Sequence, residues 1–309
     1  MKVVIDRHIP YLEGLKIPME TVFLEPNEIT NDALRDADAL LIRTRTQCNE
    51  SLLHDTKVQF IATGTIGFDQ IDTAYCEQHG ITWTNSPGCN AQGVCDYVET
   101  VLANLAPDAG KHTLGIVGVG HVGKLVAEMA KRRGFEVLLC DPPRAENEGA
   151  EGFVSLDEIE EKCTIITFHT PLTKSGKYPT WHLETCRSLR PDTLLINAAR
   201  GGVVDEEALL RAGNPFVIDT WENEPNISRA TLERAIFGTY HIAGYTCRGK
   251  YNASQMVLIA LCKHFGLPEI TIPNPPEDAP HIWDIQAVSD ELKRQPERFE
   301  WLREHYVLR

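Results

Sequence analysis

Positive charge is scarce in this sequence. Lys and Arg together number 30 against 44 Asp and Glu, for a net charge of −14. A surface with that bias repels the phosphates of nucleic acids and anionic membranes, so neither is expected as a partner, and an anionic substrate would need local positive charge. Long apolar runs are also missing. No stretch approaches the roughly 18 residues of a membrane span, and the opening MKVVIDRHIPY enters a strand pattern with no apolar core of a signal peptide. The nine cysteines include no C-x-x-C pair, and most sit in apolar runs, as at Cys140, Cys163 and Cys262. They read as reduced, buried thiols in a reducing compartment. No His/Cys cluster suggests a metal, and there is no internal repeat beyond alternating strands and helices. A cytoplasmic protein of about two domains is expected.

What is present is organised around residues 113–141, TLGIVGVGHVGKLVAEMAKRRGFEVLLCD. An apolar run (114–117) enters GVGHVG, an amphipathic stretch (122–133) follows, and a second apolar run (137–140) ends on Asp141. This is the strand, glycine turn, helix and strand of a dinucleotide-binding half-domain. Gly118 permits the tight turn, Gly120 lets the backbone approach a pyrophosphate, and Gly123 lets the helix pack close to the strand. His121 and Val122 open the helix, whose N-terminus offers free N–H groups to phosphates. Asp141 can accept bonds from both ribose hydroxyls and would repel a 2′-phosphate, so the expected cofactor is NAD rather than NADP.

Before this unit, strands at 2–5, 21–24, 39–42, 60–62 and 81–83 alternate with helices near 30–37 and 73–79, which implies a parallel sheet of its own. Ligands in such sheets gather at the carboxyl ends of strands. That draws attention to Arg43, Thr44 and Arg45 after one strand and to Thr63, Gly64, Thr65 and Gly67 after the next. The small-residue loop suits a carboxylate or serves as a plain turn; the arginines suit an anion or a surface ion pair. A long helix begins after Ser86 or Asn90, buries Val94, Val98, Val101, Leu102 and Leu105, and ends before Pro107. Beyond Asp141, residues 142–152 read as a polar loop, 155–162 as a helix capped by Ser155 with Glu158 as its capping-box partner, and 184–188 and 205–212 as helices. Strands are expected at 164–168, 193–197, 216–218 and 240–242. Arg200, Glu224 and His241 follow strands of this one sheet, so their side chains can converge near the dinucleotide.

At these residues the chain resembles the D-2-hydroxyacid dehydrogenase family. The resemblance rests on GVGHVG with Asp141, HTPLT, NAARGGVVDEEAL, DTWENEP and HIAGYT, and covers roughly residues 1–265. It implies an α/β fold of two Rossmann-like, doubly wound parallel-sheet domains with a short C-terminal appendage. The flavodoxin-like substrate domain would span 1–88, completed by 245–268, and the NAD-binding domain 89–244. Residues 269–309 would be a short segment, a truncated form of the family's dimerisation domain. The resemblance further implies that Arg200 binds the substrate carboxylate and C2 oxygen, His241 is the acid/base, and Glu224 orients it and raises its pKa. Asp219 would hold the nicotinamide carboxamide, and Thr170, Ala198, Ala199, Arg200 and Gly244 would line the NAD site. Thr44, Thr65 and Tyr245 would contact substrate, with Arg43 and Gly64 beside them. Arg309 is either a phosphate ligand or part of a frayed end. The expected activity is NAD-dependent oxidation of a phosphorylated small 2-hydroxy acid by a homodimer. Two alternatives stay open: another 2-hydroxy acid as substrate, and a non-catalytic protein that binds NAD as a sensor.

Overall fold

The computed structural model describes residues 1–183, 189–277 and 280–309; the helix expected at 184–188 lies outside them. The chain divides into two compact units, Met1–Asn90 with Thr246–Ala279, and Ala91–Tyr245 with Pro280–Arg309. The expected appendage 269–309 is therefore shared between the units.

The first unit holds a parallel sheet of β1 (Lys2–Asp6), β2 (Glu20–Leu24), β3 (Ala39–Ile42), β4 (Phe60–Thr63) and β5 (Thr82–Thr84), in the order β2-β1-β3-β4-β5. Successive side chains point to opposite faces. Val3, Ile5, Leu41 and Ala62 accordingly pack with Val257, Leu258 and Leu261. Their neighbours Val4, Leu40, Ile42 and Ile61 pack with Leu34, Leu52 and Cys76 on the other side. Burial on both faces is why these strands read as unbroken apolar runs. The helix Cys247–Phe265 has no counterpart in the sequence reading. Its pattern is broken by polar residues with tertiary tasks: Tyr251 donates to the Ile272 carbonyl at 2.7 Å, and Gln255 both donates to the Ile270 carbonyl and accepts the Ile272 N–H.

The second unit holds β6 (Thr113–Val117), β7 (Glu136–Cys140), β8 (Ile165–Phe168), β9 (Leu194–Asn197), β10 (Phe216–Ile218) and β11 (Phe237–Gly238), all parallel, in the order β11-β10-β9-β8-β6-β7. The chain reverses direction across the sheet between β6 and β8, so a crevice opens at their carboxyl ends. Helices Ala91–Leu105 and His121–Arg133 cover one face through Val98, Val101, Val126 and Ala130. Leu156–Lys162 and Glu206–Ala212 cover the other through Ile159 and Leu209.

Two expectations for this unit are corrected. Residues 142–148 form a helix, Pro142–Glu148, in place of a polar loop. Asp141 caps it by accepting the Arg144 N–H at 3.1 Å, and proline suits the first helical turn. The last strand is Phe237–Gly238 rather than 240–242. Past Gly238 the chain is drawn out of the ladder, because the Thr239 hydroxyl and the Ile242 and Ala243 N–H groups all donate to the Asp219 carboxylate.

Candidate active site

The glycine turn after β6 has the geometry its three glycines require. Gly118 adopts φ +89°, and a Cβ there would lie 2.7 Å from the His169 carbonyl carbon. A Cβ on Gly123 would lie 2.1 Å from the Gly118 oxygen, so the helix is packed as close to the turn as backbone allows. Around Gly120 there is nothing within 4 Å of a Cβ position, and the helix His121–Arg133 that it opens carries no side-chain cap. Its first N–H groups are thus left to an anion, as a bound pyrophosphate needs. At the end of β7, Asp141 accepts the Val119 N–H at 2.7 Å as well as its own helix's Arg144 N–H. This ties the carboxylate beside the turn. Across the crevice, after β8, the buried Thr170 hydroxyl has no partner among the described residues.

Four loops of the same sheet meet at a cavity of about 290 Å³, lined by Trp181, Arg200, Gly201, Trp221, Glu222, Asn223, Glu224 and His241. It brings Arg200, Glu224 and His241 together. Nδ1 of His241 lies 2.8 Å from Oε2 of Glu224, while Oε1 of Glu224 accepts the Trp221 N–H at 2.8 Å. Burial pushes the Glu224 carboxyl up, but the hydrogen bond and charge of His241, the Trp221 N–H and the Arg303 guanidinium outweigh it and leave the group below its ordinary range. An ionised carboxylate can only accept, so Nδ1 must be the donor and a neutral ring presents Nε2 as a bare acceptor. Arg200 follows β9, in a turn closed by Asn197, whose side chain accepts the Ala199 N–H and donates to the Arg200 carbonyl. The Arg200 guanidinium donates to its own Ala199 carbonyl at 2.8 Å and forms no ion pair among the described residues. A guanidinium without a carboxylate partner, facing a cavity, is an anion site. Ala198 and Ala199 are buried in the same turn.

Asp219 is 1 % exposed. Besides the three donors already described, its backbone carbonyl accepts the His241 N–H at 2.9 Å. Asp219 thereby ties down the loop that carries His241, whose φ is 59°. Gly244 and Tyr245 close that loop, with the Tyr245 N–H donating to the Ile242 carbonyl. The remaining expected substrate residues belong to the first unit, at the carboxyl ends of β3 and β4. Thr44 is exposed, Arg43 donates to the His8 carbonyl at 3.0 Å, the Gly64 N–H donates to the Ile42 carbonyl, and the Thr65 hydroxyl donates to the Gly67 carbonyl at 2.7 Å.

Several residues here escaped the sequence reading. Trp181 lines the cavity from a loop with no periodic pattern, stacked on His182 at 4.2 Å. The indole of Trp221 donates to the Thr239 carbonyl at 2.7 Å. Glu206, in the helix expected at 205–212, is buried; its carboxylate accepts the Glu222 N–H at 2.6 Å. Desolvation, reinforced by the charges of Glu222 and Glu224 and opposed by the bond from the Glu222 N–H, pushes its pKa from 4.5 to about 7. Between those values the folded protein holds a proton that the unfolded chain has released, so this group makes stability fall as pH rises from about 4.5 to about 7 and leaves it level above. Glu206→Gln keeps the acceptor and removes the titration. Urea unfolding should show the variant gaining on wild type by on the order of 1–3 kcal/mol between pH 5 and pH 8. A pH-independent difference would show that Glu206 ionises as freely as in the unfolded chain.

Comparison with known proteins places this geometry. The model of the D-isomer specific 2-hydroxyacid dehydrogenase, NAD binding domain, matches residues 99–243. Erythronate-4-phosphate dehydrogenase of Bacteroides fragilis is 46% identical, over 100% of this chain and 97% of its own. The protein of the same name from Porphyromonas gingivalis is 42% identical over 94% and 83%. Among solved structures, NAD⁺-bound 3-phosphoglycerate dehydrogenase of Entamoeba histolytica superposes with a TM-score of 0.69 at 25% identity, covering 90% of this chain and 99% of that one. D-lactate dehydrogenase of Aquifex aeolicus, complexed with NAD and lactic acid, superposes at 0.66 with 23% identity over 86% and 96%, a likeness of fold.

Proposed function

We propose that this chain, which belongs to the erythronate-4-phosphate dehydrogenases of the D-isomer specific 2-hydroxyacid dehydrogenase family, oxidises 4-phospho-D-erythronate to (R)-3-hydroxy-2-oxo-4-phosphooxybutanoate. NAD, held at the glycine turn and Asp141, would supply the hydride acceptor for C2, while the hydroxyl proton leaves through His241; the product would feed pyridoxal 5′-phosphate biosynthesis. The observation that carries the reading is the His241–Glu224 pair at 2.8 Å in one cavity with Arg200, which has no ion pair among the described residues.

Each residue has a definable task. Nε2 of His241 accepts the C2 hydroxyl proton, and the Glu224 carboxylate stabilises the imidazolium that forms. Arg200 forks onto the substrate carboxylate and polarises the C2 oxygen. Thr170, the 198–200 turn, Asp219 and Gly244 are assigned to the nicotinamide end of NAD, and His121, Val122 and the glycine turn to its pyrophosphate. Asp141 is assigned to the adenosine ribose. Thr44, Thr65, Tyr245, Arg43 and Gly64 are assigned to the substrate. Among the described residues no helix is long and apolar enough to cross a membrane. A cytoplasmic homodimer is part of the same proposal, on the family resemblance.

The test is a panel of 2-hydroxy acids assayed with NAD and with NADP. The highest kcat/KM should fall on 4-phospho-D-erythronate with NAD. A clear preference for 3-phosphoglycerate or glycolate would reassign the substrate within the family, and tight NAD binding without turnover on any acid would favour the sensor reading. Asp141→Ala should erode the preference for NAD over NADP, because the carboxylate that repels a 2′-phosphate is gone. An unchanged ratio would remove Asp141 from the ribose site.

A further inference from the structure

Residues 280–309 contribute two helices, Ile285–Arg294 and Phe299–Glu304, to the second unit. Leu292, Phe299 and Leu302 pack into the same cluster as Ile218, Trp221 and Ile242. Their polar contacts converge on the stretch that carries His241. The Gly238 N–H donates to Ser289 Oγ at 3.0 Å, the Tyr240 hydroxyl to Glu291 Oε2 at 3.1 Å, and Lys293 Nζ to the Ala235 carbonyl at 2.6 Å. Arg309 is not frayed: its Nη2 donates to the Ala243 carbonyl at 2.7 Å, and its guanidinium lies 4.3 Å over the Trp283 ring. Arg303 reaches the catalytic pair itself. Its Nη1 is 3.7 Å from Oε2 of Glu224, the oxygen that bonds His241, while its Nη2 is fixed by Glu300 Oε1 at 2.7 Å.

We propose that Arg303 is a positioning residue for the His241–Glu224 pair, holding the Glu224 oxygen that orients the ring, while Arg309 braces the backbone just beyond His241. The inference rests on the reading of His241 as the acid–base group. Glu224 can point one oxygen at the Trp221 N–H and the other at His241 only if nothing competes for either, and a fixed cation behind Oε2 favours that ionised, two-pronged arrangement. The charged groups around the pair are Arg200 and Glu222 in the cavity, Glu206 beside them, and Arg303 with Glu300. Among the described residues Arg303 and His241 are the groups that pair with Glu224 Oε2, so loss of Arg303 leaves the Glu224 charge to His241. The ring should then hold its proton to higher pH.

The test uses Arg303→Gln, Arg303→Met and Arg303→Lys in the full chain. The readouts are the His241 ring titration by NMR and the split between kcat and KM. The glutamine and methionine variants should raise the His241 midpoint by about half a pH unit or more and lower kcat about tenfold, with KM for NAD little changed. Lysine should restore both to within about twofold, since the cation remains. A midpoint unmoved in a folded neutral variant overturns the proposal. So does a lysine variant as impaired as glutamine, which would show packing rather than charge, and so does failure of both neutral variants to fold. The ring titration needs no substrate, so inactivity of the wild type on 4-phospho-D-erythronate would strike the proposed function and leave this test standing.

Discussion

His241→Ala should lower turnover by about 10²-fold or more while leaving NAD affinity nearly intact, the loss typical of a general acid–base group. The ring lines the cavity beside Arg200 and is fixed through Nδ1, which leaves Nε2 without a partner among the described residues. The glycine turn that would receive the pyrophosphate is built from β6, β7 and the start of the helix His121–Arg133, none of which His241 supports. Steady-state kinetics with fluorescence titration of NAD separates the two effects. Activity within a few-fold of wild type would remove His241 from the chemistry. A parallel collapse of NAD binding would mean that the substitution had unseated the loop tied to Asp219.

Arg200→Lys should cost about 10²–10³-fold in kcat/KM, despite keeping the charge. A guanidinium meets a carboxylate and the neighbouring C2 oxygen with two parallel donors, whereas an ammonium offers a point charge on a flexible stem. The effect should fall on both kcat and KM, because the fork both binds the acid and polarises the bond that loses hydride. Arg200 has no structural ion pair to lose among the described residues, so the melting temperature should change little. A variant within five-fold of wild type would show that another cation binds the substrate.

How much of this could be read in advance depended on whether the cause was local. The dinucleotide turn was legible because Gly118 and Gly123 answer steric demands within a few residues of themselves, a left-handed φ and a contact that no Cβ could survive. The parallel strands were legible because burial on both faces leaves a continuous apolar run. The true end of the last strand was not. Asp219, just past the end of β10, draws the Ile242 and Ala243 N–H groups out of the ladder, and nothing in YHIAGY announces it. Pro142–Glu148 carries no helical signature in the sequence because its residues are polar all round and its start depends on the Asp141 cap. Trp181 and Arg303 reach the site from distant segments without periodic signature. Their roles exist only once the chain has folded.

The central claim is that the hydrogen on C2 passes to NAD as hydride. It is tested most directly with 4-phospho-D-erythronate deuterated at C2, followed by mass spectrometry of the reduced cofactor. The account predicts one deuterium in the nicotinamide ring of every NADH formed. NADH free of deuterium, or no NADH from a protein that binds NAD, would contradict it.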